Sequence, residues 1–332
     1  MRRSASWRTW RAASCSAAVA GILAAATGTS RATPKVVAVI AGKTVADTRL
    51  LGPSAQVYAP QKPDARQWTR QGSGGVAATV VAAGRHRNRL WVAGHTAPIY
   101  ARHKGMWDAQ PLPNRGWVRL ATSGPTGAVV INRQVYVLGR TGWRRFGRSS
   151  GVASAVWAAS PNTVYVATTA GHLRRGVEHA GRVSWTLVGG QVGRGAAIVQ
   201  LVGRSPRNLY AIGKHGSLAA IRGSVLSRVR GVPMVRAAAA TRTGIVVVGR
   251  DGRGKTVVTT VRKRKLISTA VVPGIREPIA GVARTARGQL IVVTRRGHVY
   301  IRDKNAWKTG EVRDPAGVVP ARFRGAAPAR TR

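Results

Sequence analysis

One short pattern, a β-strand followed by a tight turn and a second strand, recurs seven times between Thr48 and Arg302. Glycine closes the turn in most copies, which gives the backbone the positive φ that a tight hairpin needs, and the flanking β-branched and aromatic residues suit half-buried strands. The period is too short for an independent domain and suits one small antiparallel sheet per copy. The copies start 29 to 45 residues apart, at Thr48, Leu90, Val135, Val164, Leu209, Ile245 and Leu290. The small residues that close the turns are Ala55, Ala97, Gly142, Gly171, Gly216, Gly252 and Gly297.

Further strands flank this hairpin in most copies. Upstream, an apolar run ends in a turn, and two of these turns share a Ser-Pro pair, at Ser160-Pro161 and Ser205-Pro206. Downstream, a tryptophan follows the second hairpin strand, and we expect its ring to pack between adjacent sheets because large aromatic side chains mostly provide packing area. These tryptophans are Trp68, Trp107, Trp185 and Trp307.

Seven such sheets predict an all-β fold, a seven-bladed β-propeller with four-stranded antiparallel blades, with six or eight blades as alternatives. Two places depart from the pattern. The third copy precedes its successor by only 29 residues, so we expect one of its outer strands to be missing or poorly formed. The first copy lacks a clear upstream strand, unless Lys35–Ile40 provides it or closes the ring against the last blade.

The two ends of the chain differ from the repeats. Residues 1–26 contain four arginines among the first eleven positions and then an alanine-rich apolar run too short for a membrane span, which predicts a signal peptide and export to the periplasm or the exterior. We assign residues 27–34 to a short linker, 35–315 to the propeller and 316–332 to a disordered basic tail. Cys15, the only cysteine, lies in the segment removed, so disulfides and thiolate sites are not expected.

Charge is the second strong signal. The chain has 55 lysines and arginines against nine acidic residues, a formal net charge of +46. So large a positive charge favours an anionic partner. The partner is either an anionic polymer (acidic polysaccharide, lipopolysaccharide or nucleic acid) or an acidic protein. An arginine- and alanine-rich composition is also what a GC-rich genome tends to encode, so part of the excess is compatible with compositional drift.

The repeat alignment predicts a cluster of these charges. The turns between second and third strands share one face of a propeller, near the mouth of its central channel, so their cations could bind a phosphate or carboxylate group. The turns of the opposite face are basic as well, and solvated turn residues are the alternative interpretation. The predicted anion-binding rim comprises His95, Arg140, Lys214, His215, Arg250, Arg295 and Arg296. Cations of the opposite face lie within 85–89 and at Arg204, Arg207, Arg284 and Arg287.

Catalytic signatures are absent from the sequence. The acidic residues and histidines are scattered without the spacings of metal ligands or of an acid–base pair, and no GxSxG elbow or glycine-rich phosphate loop occurs. We therefore predict no catalytic residue, no metal site and no cofactor.

The repeat, approximately an apolar strand followed by SPxx, LYVxGxxG, IYxR and DxxxW, resembles the degenerate blades of secreted bacterial propellers of the BNR, YVTN and photosystem-assembly-factor groups. The resemblance covers Thr48 to Asp314 and implies the propeller fold, on which enzymes, lectins and assembly factors all occur. No complete Asp box is present, only fragments such as Asp303–Trp307, so the catalytic residues of sialidases cannot be carried over.

These observations lead to one functional hypothesis and two alternatives. We expect a secreted, non-enzymatic propeller that binds an anionic envelope component or an acidic partner through a basic channel face. The first alternative is a polysaccharide-directed hydrolase or lyase with its site in the channel. The second is an envelope assembly or scaffold factor that uses an apolar blade surface.

Overall fold

A computed structural model of the chain describes residues 36–53, 55–61, 66–71, 80–86, 89–94, 99–103, 106–110, 118–123, 126–190, 192 and 197–313. Within these residues the chain forms 28 β-strands and one short 3-10 turn, Pro206–Asn208. The predicted signal peptide, linker and C-terminal tail lie outside the described residues.

The strands follow one another in groups of four, and each group is called a unit. Units 2 to 6 are separate four-stranded sheets in which consecutive strands pair antiparallel. Unit 2 contains β5 (Val80–His86), β6 (Arg89–Gly94), β7 (Ile99–His103) and β8 (Met106–Gln110). Unit 3 contains β9 (Val118–Ser123), β10 (Gly127–Ile131), β11 (Gln134–Leu138) and β12 (Trp143–Arg148). Unit 4 contains β13 (Ala153–Ser160), β14 (Thr163–Thr168), β15 (Leu173–His179) and β16 (Arg182–Val188).

The next two units have the same four-stranded arrangement. Unit 5 contains β17 (Ile198–Gly203), β18 (Leu209–Gly213), β19 (Leu218–Arg222) and β20 (Val225–Arg228). Unit 6 contains β21 (Met234–Ala240), β22 (Ile245–Arg250), β23 (Thr256–Arg262) and β24 (Lys265–Val271).

The first and last units share one eight-stranded sheet. Unit 1 contains β1 (Ala38–Ile40), β2 (Arg49–Leu51), β3 (Val57–Pro60) and β4 (Gln67–Arg70), and unit 7 contains β25 (Ile279–Arg284), β26 (Leu290–Thr294), β27 (His298–Asp303) and β28 (Ala306–Arg313). The outer strands β4 and β28 pair in parallel, with Trp68 opposite Val312.

The first strands of the units form a ring. β1 contacts β5, and the same contact recurs from β5 to β9, β9 to β13, β13 to β17, β17 to β21 and β21 to β25, while β25 contacts β1. Hydrophobic clusters fill the space between successive units; one joins Trp157 of unit 4 to Leu201 of unit 5, and another joins Trp68 of unit 1 to Ile301 of unit 7. The chain is therefore an all-β propeller made of small antiparallel sheets.

The tryptophans occupy the positions that the repeat predicted. Trp68 is fully buried between units 1 and 7, and the half-buried rings of the other three pack against clusters shared by two neighbouring units. Trp107 lies between units 1 and 2, Trp185 between units 3 and 4, and Trp307 between units 6 and 7. The expectation that they pack between adjacent sheets is confirmed.

The interpretation of the third copy was wrong. Val135 lies in β11, the third strand of its unit, and the second strand is β10, so unit 3 has all four strands and no outer strand is missing. The two strands are joined by Asn132 and Arg133, with φ of 48° and 68°. This two-residue turn adopts positive φ without glycine, which is why an alignment on turn glycines selected the next hairpin instead.

The first copy has an upstream strand, and it lies within Lys35–Ile40 as expected. β1 pairs with β2, and the Val36 N–H donates to the Arg295 carbonyl of unit 7 at 3.1 Å. In the sixth copy, however, the positive φ of 74° belongs to Gly254 and not to Gly252.

Candidate functional site

The turns between second and third strands lie on the same face as the links between units, because successive turns of an antiparallel meander alternate between its two ends. Lys214 and His215 follow β18, Arg250 ends β22, and Arg295 and Arg296 separate β26 from β27. All five residues are exposed. These five residues, in units 5, 6 and 7, are called the basic rim.

Backbone hydrogen bonds tie the turns of the rim to the units that follow them. The Gly216 carbonyl, beside Lys214 and His215, accepts from the Val235 N–H in β21 at 2.9 Å. The Arg295 carbonyl makes the corresponding contact with the start of unit 1 through Val36, at 3.1 Å. The rim turns of units 5 and 7 are thus fixed against the units that follow them.

The link between units 6 and 7 adds further contacts to the rim. The Arg250 Nη2 donates to the Arg276 carbonyl at 3.3 Å. The next residue in the link, Glu277, has one carboxylate oxygen 2.9 Å from the His298 Nδ1 and the other 3.9 Å from the Arg296 Nη1. Arg296 therefore already faces a carboxylate, which reduces its availability to an external anion.

The surroundings of Glu277 stabilise its charged form. Partial burial acts to raise its pKa, but hydrogen bonds with His298 and Thr294 and the charges of His298 and Arg296 outweigh burial, so the pKa of Glu277 lies below its ordinary value. Its side chain is 21% exposed, which keeps this carboxylate within reach of solvent.

Two predicted rim residues do not join the others in the structure. Arg140 lies between β11 and β12, the third and fourth strands of unit 3, and hence on the opposite face. The prediction for Arg140 failed because the hairpin of the third copy was assigned one strand too late. His95 lies outside the described residues.

The sequence also missed several cations of this face. Arg133 occupies the turn between second and third strands in unit 3, where the polar pair Asn132-Arg133 between two alternating apolar runs was the available signal. Arg253 and Lys255 lie in the loop after Arg250, and their backbone N–H groups each donate to the Asp251 carboxylate at 2.9 Å. The Asp251 carboxylate therefore stabilises the turn that it belongs to.

No group of three or more histidine, cysteine, aspartate or glutamate side chains in the part of the chain that the structure describes could hold a metal ion. None of the described helical segments is long and apolar enough to span a membrane.

Comparisons with known proteins agree with the fold. No family model and no curated protein matches the chain. Among solved structures, a streptogramin B lyase matches with a TM-score of 0.60 and 13% identity, covering 80% of this chain and 93% of the lyase. BBS1N from its complex with ARL6DN matches with a TM-score of 0.60 and 15% identity, covering 88% and 98%. The WD40 β-propeller domain of Doa1 matches with a TM-score of 0.55 and 12% identity, covering 82% and 93%.

The class of protein is thus a β-propeller with repeated small sheets. At these sequence identities the similarity shows the fold and does not identify a ligand, since one propeller scaffold supports unrelated functions.

Proposed function

We propose that this protein is a non-enzymatic β-propeller that binds an anionic polymer or an acidic protein through its basic rim. The observation that carries the proposal is that Lys214, Arg250 and Arg295 occupy equivalent turns on one face of three consecutive units. A surface of one sign raises the local concentration of an oppositely charged partner and speeds association. The net charge of +46 acts in the same direction over longer distances.

We propose that the propeller has seven blades. The eight-stranded sheet then counts as two blades, units 1 and 7, joined at their outer edges. Support comes from the closed order of contacts between first strands and from the hydrophobic cluster between units 1 and 7. The similarity to BNR, YVTN and photosystem-assembly-factor blades belongs to the same proposal.

Export is a further part of the proposal. It rests on the arginine-rich start and the apolar run within residues 1–26. An exported protein of this charge would meet acidic polysaccharide or lipopolysaccharide, and the partners we propose are therefore components of the cell envelope or proteins with acidic surfaces. Nucleic acid has the same chemistry and enters as a comparison ligand.

Heparin binding across a salt series tests the role of the rim. In the triple variant Lys214→Gln, Arg250→Gln, Arg295→Gln, we expect heparin affinity at low salt to fall about tenfold or more, with a shallower dependence of log K on log salt, because fewer counterions are released. The matched control removes three cations from outer strands, Arg182→Gln, Lys265→Gln and Lys308→Gln. Equal losses in both triple variants, or absence of heparin binding by the wild type at low salt, would refute binding through the rim.

The polysaccharide-directed hydrolase or lyase stays as a second candidate because one contact beside the rim favours it. The Glu277 carboxylate holds the His298 ring at 2.9 Å, and a histidine oriented in this way can exchange a proton at its other nitrogen. Turnover of an acidic polysaccharide that is lost in His298→Ala, with polymer binding retained, would establish the enzyme. Binding without turnover in both proteins supports the non-enzymatic proposal.

A further inference from the structure

A second basic site lies on the face opposite the rim. A groove of about 600 Å³ opens there beside unit 5, and its walls come from units 4, 5 and 6. Tyr165 and Arg175 contribute from β14 and β15, Arg207 from the 3-10 turn after β17, Arg222 from the end of β19, and Lys263 from the turn between β23 and β24. We call this concavity the interblade groove.

The charge in the interblade groove is of one sign. Four of its eight lining residues are cations, Arg175, Arg207, Arg222 and Lys263, and no carboxylate of the described residues lines it. None of the four forms an ion pair within the described residues. Four like charges around one concavity repel one another in the free protein, and an anion that binds between them relieves that repulsion.

Arg175 carries an additional sign of an unfilled site. Its Nε is buried and has no hydrogen-bond partner in the structure. Buried donors in native proteins are normally paired with protein, water or ligand, because an unpaired one costs free energy. An acceptor in the groove is positioned to approach the guanidinium of Arg175.

The wall that carries Arg175 is rigid. Arg175 lies directly opposite Tyr165 across the β14–β15 ladder. The Tyr165 ring packs edge-on against Trp157 with centroids 5.7 Å apart. The Trp157 Nε1 donates to the carbonyl of Gly203 in unit 5 at 3.1 Å, just before the turn that carries Arg207. Units 4 and 5 are thereby locked together at the groove.

The opposite wall lies beside a second tyrosine. Burial raises the pKa of Tyr210, and the nearby backbone N–H groups of Arg264 and Lys263 act in the opposite direction. Both turn residues have positive φ, 49° and 70°, as a two-residue hairpin requires. The Lys263 side chain therefore projects from a tight two-residue hairpin, so binding an anion requires little reorganisation of the backbone.

From this geometry we infer that the interblade groove is a binding site for a phosphate or sulfate group. Guanidinium groups present paired N–H donors that match the oxygens of a tetrahedral oxyanion, and the lysine ammonium adds a point charge. The groove is larger than one such group, which leaves room for the organic part of the ligand beside Tyr165. This site lies apart from the basic rim and does not depend on the function proposed for it.

Calorimetric titration of the full chain with inorganic pyrophosphate, and separately with inorganic sulfate, tests the inference at constant ionic strength. We expect saturable binding by the wild type and at least an approximately tenfold loss of affinity in Arg207→Gln, Lys263→Gln, since each change removes a charge-assisted contact. Both side chains are exposed, so the variant is expected to fold. A preference for pyrophosphate or for sulfate identifies which oxyanion the site selects.

The matched control is Arg242→Gln, Arg287→Gln, which removes two exposed arginines from turns of the same face outside the groove. Affinity within about twofold of wild type in this control supports a discrete site. An equal loss in the control, or no saturable binding of either anion by the wild type, overturns the inference. Neither result bears on heparin binding by the rim, because the variants of the two experiments share no residue.

Discussion

A basic side chain in a surface turn has a role that depends on its immediate neighbours. Arg296 lies 3.9 Å from the Glu277 carboxylate, which also binds His298. By contrast, Lys214 lies in a turn whose backbone is fixed to unit 6 without a neighbouring carboxylate in the ion pairs of the described residues. Both cations were predicted to belong to the rim, and they differ in what they offer a ligand.

The pairing of Glu277 predicts a pH-dependent contribution to stability. Because its folded pKa lies below its ordinary value of 4.5, the ionised carboxylate stabilises the fold above that value, and the contribution is lost as the pH falls through the folded pKa. Urea unfolding of wild type and Glu277→Gln should differ by about 0.2–1 kcal/mol near neutral pH, the range for exposed ion pairs. The difference should shrink below about pH 4.5. A constant difference down to pH 2 would contradict the assignment to this ionisation.

Part of the candidate site could be predicted from the residues alone. The repeat correctly located Lys214, Arg250 and Arg295 in turns of one face, because glycine and polar residues mark hairpin turns locally. It could not predict Glu277 as the partner of Arg296, since that contact depends on how a link between units folds over the next turn. Long-range contacts of this kind leave no local pattern.

At the scale of the strand and its turn, unit 3 shows how a hairpin is formed without glycine. Asn132 and Arg133 both have positive φ, which costs an arginine more than it costs asparagine or glycine. The rest of the fold was predictable from alternation of apolar residues, but the register of this unit was not, because its turn lacked the residue on which the copies were aligned.

Substitution in this turn gives a direct check. We expect Arg133→Gly to raise the free energy of unfolding by about 0.5–1 kcal/mol, because Asn-Gly is the favoured pair for a two-residue hairpin. Arg133→Val should lower it by about 1 kcal/mol or more, since β-branched residues strongly resist positive φ. The two variants lose the same charge, so electrostatics cannot explain opposite signs. Chemical denaturation measures both, and equal effects would exclude this turn geometry.

The outer strand of unit 6 departs from the usual burial pattern. Leu266, Ile267 and Val271 of β24 are 41%, 58% and 51% exposed. The preceding basic run, Arg262 to Lys265, includes the turn that leads into this strand. Cations beside an exposed edge oppose pairing with other chains. The basic run therefore lies beside an outer strand.

Across the whole molecule, stability depends on the contact between the first and last units. Trp68 is fully buried in their shared cluster and belongs to β4, the strand that pairs with β28. We expect Trp68→Ala to lower the free energy of unfolding by about 3–5 kcal/mol, the usual cost of deleting a large buried aromatic. Trp307→Ala, at a half-buried ring between units 6 and 7, should cost less. Comparable losses in the two variants, measured by urea unfolding, would contradict a larger contribution to stability from the contact between units 1 and 7.

The parallel pairing of Gln67–Thr69 with Glu311–Arg313 has a consequence for biosynthesis. Strand β4 of unit 1 finds its partner only after the chain has emerged from the ribosome as far as β28. Contacts of such large sequence separation form slowly, so the circle is completed late and all at once. Until then, β4 is an unpaired edge strand, and shielding of that edge would protect the nascent chain from pairing with other chains.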